Sequence, residues 1–442
     1  VQATARRNAE VSLLVLSFLI AGGALALVAL ARNPDTVSVT GPLIGFVVAS
    51  YVAAHIVLRK LAQQADALLL PLTATLNALG LAAVYRLSPE RYGPTQVTWT
   101  VLGAACFMGT LAVVNDYRIL ARYKYILGFA GVGLLLLPLS PLGKTINGAR
   151  LWVGVGTFSF QPGELAKVCL VVFFAAYLAD RKELLAIASR RVAGMHVPDI
   201  KHFGPLLVMW GISLAVMFFE KDLGSSLLFF SIFLAMIYIA TARLVYLVLG
   251  SALFVAGAWA GYQMFNHVQE RVRVWLDVFD PKLIRDDGYQ LAQSLFAFAT
   301  GGLFGTGLGK GRPDIIPEAR TDFIFSVIGE ELGLLGTAAV LLCFILLVAR
   351  GLGIAMNART DFGQLLAAGL TTIFGIQTII ILGGVTRLLP LTGITLPFMS
   401  FGGSSLLSNF VLMAILARIS HQNVSEPLPA DTAEILVGGR RG

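Results

Sequence analysis

The sequence predicts an all-α polytopic membrane protein of about twelve transmembrane helices with one large extracellular loop. Composition is the first reason: of 442 residues, 57% are hydrophobic and only 13% charged, and mean hydropathy is +0.79. Apolar windows long enough to cross a hydrocarbon core, about 20 residues each, recur along the chain. Lysine and arginine are also shared unevenly among the loops between those windows. The formal charge of +8 calls for no nucleic-acid partner, because basic cytoplasmic loops account for it.

The apolar spans fall at residues 11–31, 42–58, 67–85, 96–114, 125–141, 162–180, 205–219, 224–241, 244–263, 329–349, 363–384 and 403–419. The first lacks a small-residue cleavage site and reads as a retained helix rather than a signal peptide. An even number of spans puts both termini on one side. With the N-terminus inside, the cytoplasmic segments collect most of the basic residues, from Arg6, Arg7, Arg59 and Lys60 to Arg350, Arg359 and Arg418. The short outer loops hold Arg32, Arg86, Arg91, Lys144, Arg150, Lys221 and Arg387. Both termini are therefore expected in the cytoplasm. Cys106, Cys169 and Cys343 lie inside apolar runs and the histidines are scattered, so neither a disulfide framework nor a zinc site is expected.

The loop 264–322 is far longer than the others, and long interhelical loops are functional or disordered. This one is rich in aromatics, among them Trp275, Phe279, Tyr289 and Phe304, which argues for order. Residues 289–300 are predicted as a helix in the outer interface, with Gln290, Gln293, Ser294 and Ala297 on one face and Leu291, Ala292, Leu295 and Phe298 on the other. A glycine run from Gly301 to Gly311 follows.

Polar residues cluster on the outer side, whereas the cytoplasmic loops are short and plain, so a site is expected to face outward. The segment from Arg320 to Glu331 opens a membrane helix with three carboxylates: Asp322, Glu330 and Glu331. Charge at a bilayer boundary is costly and points to chemistry there. As a helix cap, Asp322 would be held ionised by the helix dipole. Burial beside Glu330 and Glu331 would push it the other way, and composition alone slightly favours the cap.

Glu164 and Lys167, three apart on one helix face, read as a structural ion pair. Pro162 suits a first helical turn and Asp222 an N-cap. Ser404 and Ser405 follow two glycines at a helix start, where capping and phosphate binding are both open. The basic residues of the long loop, Arg271, Arg273, Lys282, Arg285, Lys310, Arg312 and Arg320, are candidates to hold an anionic headgroup; for any one alone a solvated face is the simpler reading. Gly143-Lys144-Thr145 imitates the end of a nucleotide-binding loop, but Pro138 stands where its first glycine is needed, so no nucleotide cofactor is expected.

The order of several motifs resembles the SEDS family (shape, elongation, division and sporulation), whose members include RodA, FtsW and SpoVE. The matching pieces are Gly148-Ala149-Arg150-Leu151-Trp152, Gln161-Pro162-Gly163-Glu164, Lys221-Asp222-Leu223-Gly224, and Gly288-Tyr289-Gln290 with Gln293-Ser294. They continue with Pro317-Glu318, Thr321-Asp322-Phe323-Ile324-Phe325, Glu330-Glu331-Leu332-Gly333, Leu391-Thr392-Gly393, Pro397 and Ser400-Phe401-Gly402-Gly403-Ser404. The resemblance implies a ten-span core at 67–420, two added N-terminal spans within 1–66, and a cytoplasmic tail at 421–442. Two features depart from it: the added spans, and Glu220-Lys221 where the family commonly has Gln-Pro.

The resemblance also implies an activity: a peptidoglycan glycosyltransferase that polymerises lipid II into glycan strands at the outer face of a bacterial cytoplasmic membrane. It gives Asp322 as the essential aspartate, which overturns the preference for the cap, and the mechanism then expected is an inverting transfer with Asp322 as general base. Arg150, Trp152, Lys310, Arg312, Glu318, Arg320, Ser404 and Ser405 are the candidate substrate-binding residues. Gln161, Glu164, Lys167, Lys221, Asp222, Glu330 and Glu331 are the polar residues expected to shape the site within the membrane. A divalent cation, Mg²⁺ or Mn²⁺, is a candidate cofactor. Expected partners are lipid II, the nascent glycan strand, a class B penicillin-binding protein as transpeptidase, and other elongation-complex proteins. The added spans and short tails look more like a RodA-type elongation enzyme than an FtsW-type division polymerase. The rival classes are a lipid II flippase, disfavoured by a polar-poor cytoplasmic side, and a non-catalytic scaffold, disfavoured by intact outer motifs.

Overall fold

The computed structural model describes residues 2–32, 36–146, 149–155, 158–187, 189–192, 195–198, 204–220 and 222–425. In chain order the helices are α1 (Gln2–Arg32), α2 (Thr36–Leu61), α3 (Leu69–Leu87), α4 (Tyr92–Val113), α5 (Ile119–Arg122), α6 (Lys124–Leu136), α7 (Pro162–Ile187) and α8 (Gly204–Phe219). They continue with α9 (Leu223–Thr241), α10 (Leu244–Met264), α11 (Asn266–Leu276), α12 (Tyr289–Gly301), α13 (Ile324–Met356), α14 (Asp361–Val385) and α15 (Gly403–Ser425). Each apolar span of the sequence falls on one of these helices, the fifth, 125–141, running on past α6 through a 3-10 turn at Leu137–Leu139. Among the described residues, nine are long and apolar enough to cross a membrane; the spans on α3, α6 and α8 lie on helices too short or too polar for that measure.

The purely helical expectation misses two small antiparallel sheets. Strands β1 (Gly143–Ile146), β2 (Ala149–Val155) and β3 (Phe158–Phe160) pair in that order between α6 and α7. Strands β4 (Ser189–Val192) and β5 (Met195–Pro198) form a hairpin between α7 and α8. Both sheets pair backbone groups of the connections that follow α6 and α7.

Of the nine membrane-length helices, α7, α14 and α15 are the most deeply buried. Helix α10 lies at the rim, where Val248, Val255 and Trp259 are exposed for lipid to cover. The N-terminal pair is integral to the bundle, with α1 on α3 and α2 on α4. Its buried Glu10 is matched by Arg7 and by His55, whose Nδ1 lies 2.6 Å from Oε1. Pairing is what makes such charge tolerable inside a span.

Between α14 and α15 the chain re-enters the bundle, burying Leu396, Phe398, Met399 and Ser400. Irregular backbone at this depth is tolerated only inside protein. Here Asn77 Nδ2 donates to Phe398 O at 3.2 Å, and Gly80 makes room, since a Cβ there would stand 2.4 Å from Met399 Cα.

Helix α13 is interrupted at Gly333 (φ 66°, ψ −163°). An unbroken helix would bond Leu334 N to Glu330 O and Leu335 N to Glu331 O. Instead Leu334 N donates to Gly302 O at 2.9 Å and Leu335 N to Leu303 O at 3.2 Å. The freed carbonyls of Glu330 and Glu331 accept from Thr306 N at 2.9 Å and Gly307 N at 3.0 Å. The glycine-rich segment thus completes the helix it lies against.

Helix α12 corrects the predicted facing. Ser294 is buried with Leu291 and Ala292, and its hydroxyl meets Ser326 Oγ at 2.7 Å and Val385 O at 2.9 Å; Phe296 is the exposed residue. Specific partners on α13 and α14 outweigh the polarity of one serine.

Candidate functional site

At the end of the bundle where α4, α7, α9, α13 and α15 begin, a tight turn over 318–323 presents Asp322. Glu318 carries it in a left-handed conformation (φ 53°), unusual for a side-chain-bearing residue and a form of backbone strain that gathers at functional sites. Its carbonyl accepts from Thr321 N at 3.1 Å, Thr321 Oγ1 at 3.2 Å and Phe323 N at 3.4 Å. The cap position of α13 is Phe323, and no side chain caps the helix there. Asp322 is therefore not the helix cap, and its carboxyl is left for other work.

Asp322 is partly buried, and burial is the main cause that raises its pKa to about 6, with the Glu318 carboxylate adding to the rise. Thr321, Arg271 and Arg320 pull the other way. The carboxylate that faces Asp322 is thus Glu318, where the sequence suggested Glu330 and Glu331. Those two brace the glycine-rich segment instead. Glu331 pairs with Arg86 at 3.0 Å and accepts from Gly309 N at 3.0 Å, and Glu330 accepts from Arg312 N at 2.8 Å.

Arg271, on α11, is the residue that the sequence named only among the loop cations and the structure places at the centre. Its Nη1 donates to Leu391 O at 2.9 Å and Thr392 O at 3.1 Å, and its charge is felt by both Asp222 and Asp322. Its own pKa is lowered, first by burial, while both aspartates oppose the shift. Arg320 stacks over Tyr92 at 4.5 Å and pairs with Glu318 at 3.2 Å. Asp222 caps α9 as its position predicted, accepting from Ser225 N at 2.9 Å. Burial raises its pKa.

Beneath this lies the predicted pair of Glu164 and Lys167, 2.8 Å apart and buried. Ser408 Oγ donates to Glu164 at 3.2 Å, and Lys167 Nζ to Gln377 Oε1 at 3.2 Å. Gln161 N donates to Ser404 Oγ at 2.8 Å, which joins the starts of α7 and α15. Ser405 accepts from Thr395 Oγ1 at 2.8 Å. Both serine hydroxyls are buried and engaged by protein groups.

The other candidates lie apart. Arg150 and Trp152 are on β2, where Arg150 Nη2 donates to Ser140 O at 2.9 Å. Lys310 and Arg312 are exposed on the glycine-rich segment. Among the described residues, no hydrogen bond or ion pair joins these four to the Asp322 turn. Lys221 lies outside the described residues. Its neighbour Glu220 is buried beside Asp222, and that burial, with the nearby charge of Asp222, raises its pKa to about 8.

The opposite end of the bundle is not bare, as the sequence had suggested. A cavity of about 820 Å³ opens there among the ends of α3, α13 and α15.

Comparison with known proteins follows this geometry. The family model FTSW_RODA_SPOVE, described as "Cell cycle protein", matches residues 65–425. The peptidoglycan glycosyltransferase RodA of Mycobacterium leprae is 46% identical over 98% of this chain and 94% of its own length. The probable peptidoglycan glycosyltransferase FtsW of Geobacter metallireducens is 32% identical over 82% of this chain and 96% of its own. Among solved structures, a chain of a peptidoglycan synthase complex that coordinates polymerization and crosslinking superposes with TM-score 0.67 at 25% identity, covering 82% of this chain and 99% of that one. The rod shape determining protein RodA of Thermus thermophilus shares the fold with TM-score 0.57 at 24% identity, over 82% and 98% of the two chains.

Proposed function

The chain belongs to the FtsW/RodA/SpoVE family, and from that premise we propose how its site works. The protein is a peptidoglycan glycosyltransferase and a multi-pass bacterial membrane protein. The substrate is lipid II, joined to a growing glycan strand at the outer face of the cytoplasmic membrane, with both termini cytoplasmic. Asp322 takes the proton from the acceptor sugar hydroxyl, whose oxygen attacks the donor's anomeric carbon as the bond to pyrophosphate breaks on the opposite face.

The single observation that supports this best is a carboxyl with a pKa of about 6 in a strained turn flanked by two arginines. Such a group is mostly ionised at neutral pH yet basic enough to accept a proton. Arg271 and Arg320, whose charges act on Asp322, would stabilise charge developing on the departing pyrophosphate, because fixed charges do so without reorganising. A Mg²⁺ or Mn²⁺ ion fits the donor set, since such ions use one or two carboxylates together with phosphate oxygens. Glu318 would hold it together with phosphate oxygens, leaving Asp322 free to accept the proton, and it would neutralise leaving-group charge.

The relatives named RodA are 46% identical to this chain and those named FtsW 32% to 33%, which supports a role in elongation and shape. A class B penicillin-binding protein is the transpeptidase partner in this reading, together with other elongation-complex proteins. The test is lipid II polymerisation by the purified chain with its co-purified transpeptidase, wild type against Asp322→Ala, with and without EDTA. Glycan strands from wild type alone are expected, with EDTA sensitivity reporting the cation. Polymer from Asp322→Ala at the wild-type rate would remove Asp322 from the chemistry. No polymer from either protein, with lipid II translocation in proteoliposomes, would favour the flippase.

A further inference from the structure

The cavity at the far end of the bundle has the makings of a second, non-catalytic site. Its volume, about 820 Å³, lies in the range of sites that hold small ligands. Arg6, Arg350 and Arg359 line it, and Asp66 is the one carboxylate in its lining. Asp66 is already committed to Arg350, whose Nε donates to its Oδ2 at 2.8 Å. Among the described residues, neither Arg6 nor Arg359 meets a carboxylate. Arg6 Nη1 donates to the Gln64 carbonyl at 2.9 Å and Arg359 Nε to the Asn423 carbonyl at 2.8 Å, and Arg359 Nη1 is buried with no partner there. Three guanidiniums thus converge on a space with one spent counter-charge, an arrangement suited to phosphate oxygens.

The position of the cavity says which kind of phosphate. Helix α13 starts beside Asp322, breaks at Gly333 and ends at Met356 in the cavity wall. Its unbroken part, residues 334–356, is about 35 Å long at 1.5 Å per residue, enough to cross the hydrocarbon core, so the cavity and the candidate active site lie at opposite membrane faces. Along the last turns of α13, Leu342, Ile345, Leu352 and Met356 are exposed and apolar, a lane that runs from the bilayer to the arginines.

We infer that this cavity binds the phosphate headgroup of an anionic phospholipid, with an acyl chain laid along the exposed face of α13. Basic pockets between transmembrane helices are the usual form of such sites. A soluble phosphate could satisfy the arginines but would make no use of the apolar lane.

Native mass spectrometry of the full chain in detergent, titrated with phosphatidylglycerol, phosphatidylcholine or inorganic phosphate, tests this. Wild type is expected to retain phosphatidylglycerol about tenfold more tightly than phosphatidylcholine, and Arg6→Gln with Arg359→Gln to lose about that factor. Arg122→Gln, which removes an exposed charge elsewhere, should bind as wild type. Thermal melts of each variant separate loss of the site from loss of the fold. Equal retention by wild type and the double variant would overturn the proposal. So would inorganic phosphate that displaces the lipid at matching concentration, which would make the cavity a soluble-anion site.

Discussion

The hydroxyl of Ser400 donates to the carbonyl of Thr321 at 2.6 Å and also accepts Leu396 N at 2.8 Å. One side chain thus ties the re-entrant segment to the residue preceding Asp322. Ser400→Ala should lower kcat by about tenfold, the value of a buried hydrogen bond at roughly 1–1.5 kcal/mol, with little change in KM. Steady-state polymerisation kinetics beside a thermal melt would show whether positioning or folding has been lost.

The proton-accepting role of Asp322 predicts an acid limb in the pH profile. With its pKa at about 6, kcat/KM should fall tenfold per pH unit below that value, measured at one fixed divalent-cation concentration. A profile flat to pH 5 would remove Asp322 as the base.

Arg271 holds the Asp322 carboxyl down, so Arg271→Gln should move that acid limb upward as well as reduce the rate. A lower rate with an unmoved limb would assign Arg271 to the Leu391 and Thr392 carbonyls alone.

Glu220 acts on stability. Its pKa is near 8 in the folded chain against an ordinary 4.5, so the unfolded chain gives up this proton first. The stability tied to it is full below about pH 4.5 and is lost as pH rises toward 8. Glu220→Gln should therefore raise the apparent Tm at pH 8 and leave it unchanged near pH 4.5, as read by thermal melts in detergent.

Arg86 and Glu331 form a buried pair that holds the glycine-rich segment. Glu331→Gln removes the charge-assisted hydrogen bond to Arg86 and should destabilise the protein by about 1.5–3 kcal/mol. Chemical denaturation in mixed micelles would measure it, and Arg86→Gln combined with Glu331→Gln should cost less than the sum of the two singly.

What could be read from the sequence was local. The Glu164 and Lys167 pair is three residues apart on one face, and the Asp222 cap is set by its own helix start, so spacing alone found both. Helices were legible because length and hydropathy fix them. Arg271 was not, because its partners at 391 and 392 lie 120 and 121 residues away and seven loop cations look alike in sequence. The facing of Ser294 depended on Ser326 and Val385 in the same way. The strands β1 and β2 did leave a signal: Asn147-Gly148 sits between them, a dipeptide that favours hairpins, in a chain whose hydropathy drew attention to helices.

The interruption at Gly333 makes the upper half of α13 depend on a loop for its own completeness. Its four replacement hydrogen bonds exist only while residues 302–307 lie against α13. Separating the two would strand two amides and two carbonyls at once, so the contact is made or lost as a unit. The amide protons of Leu334 and Leu335 report on it directly, since they exchange with solvent only when it is lost.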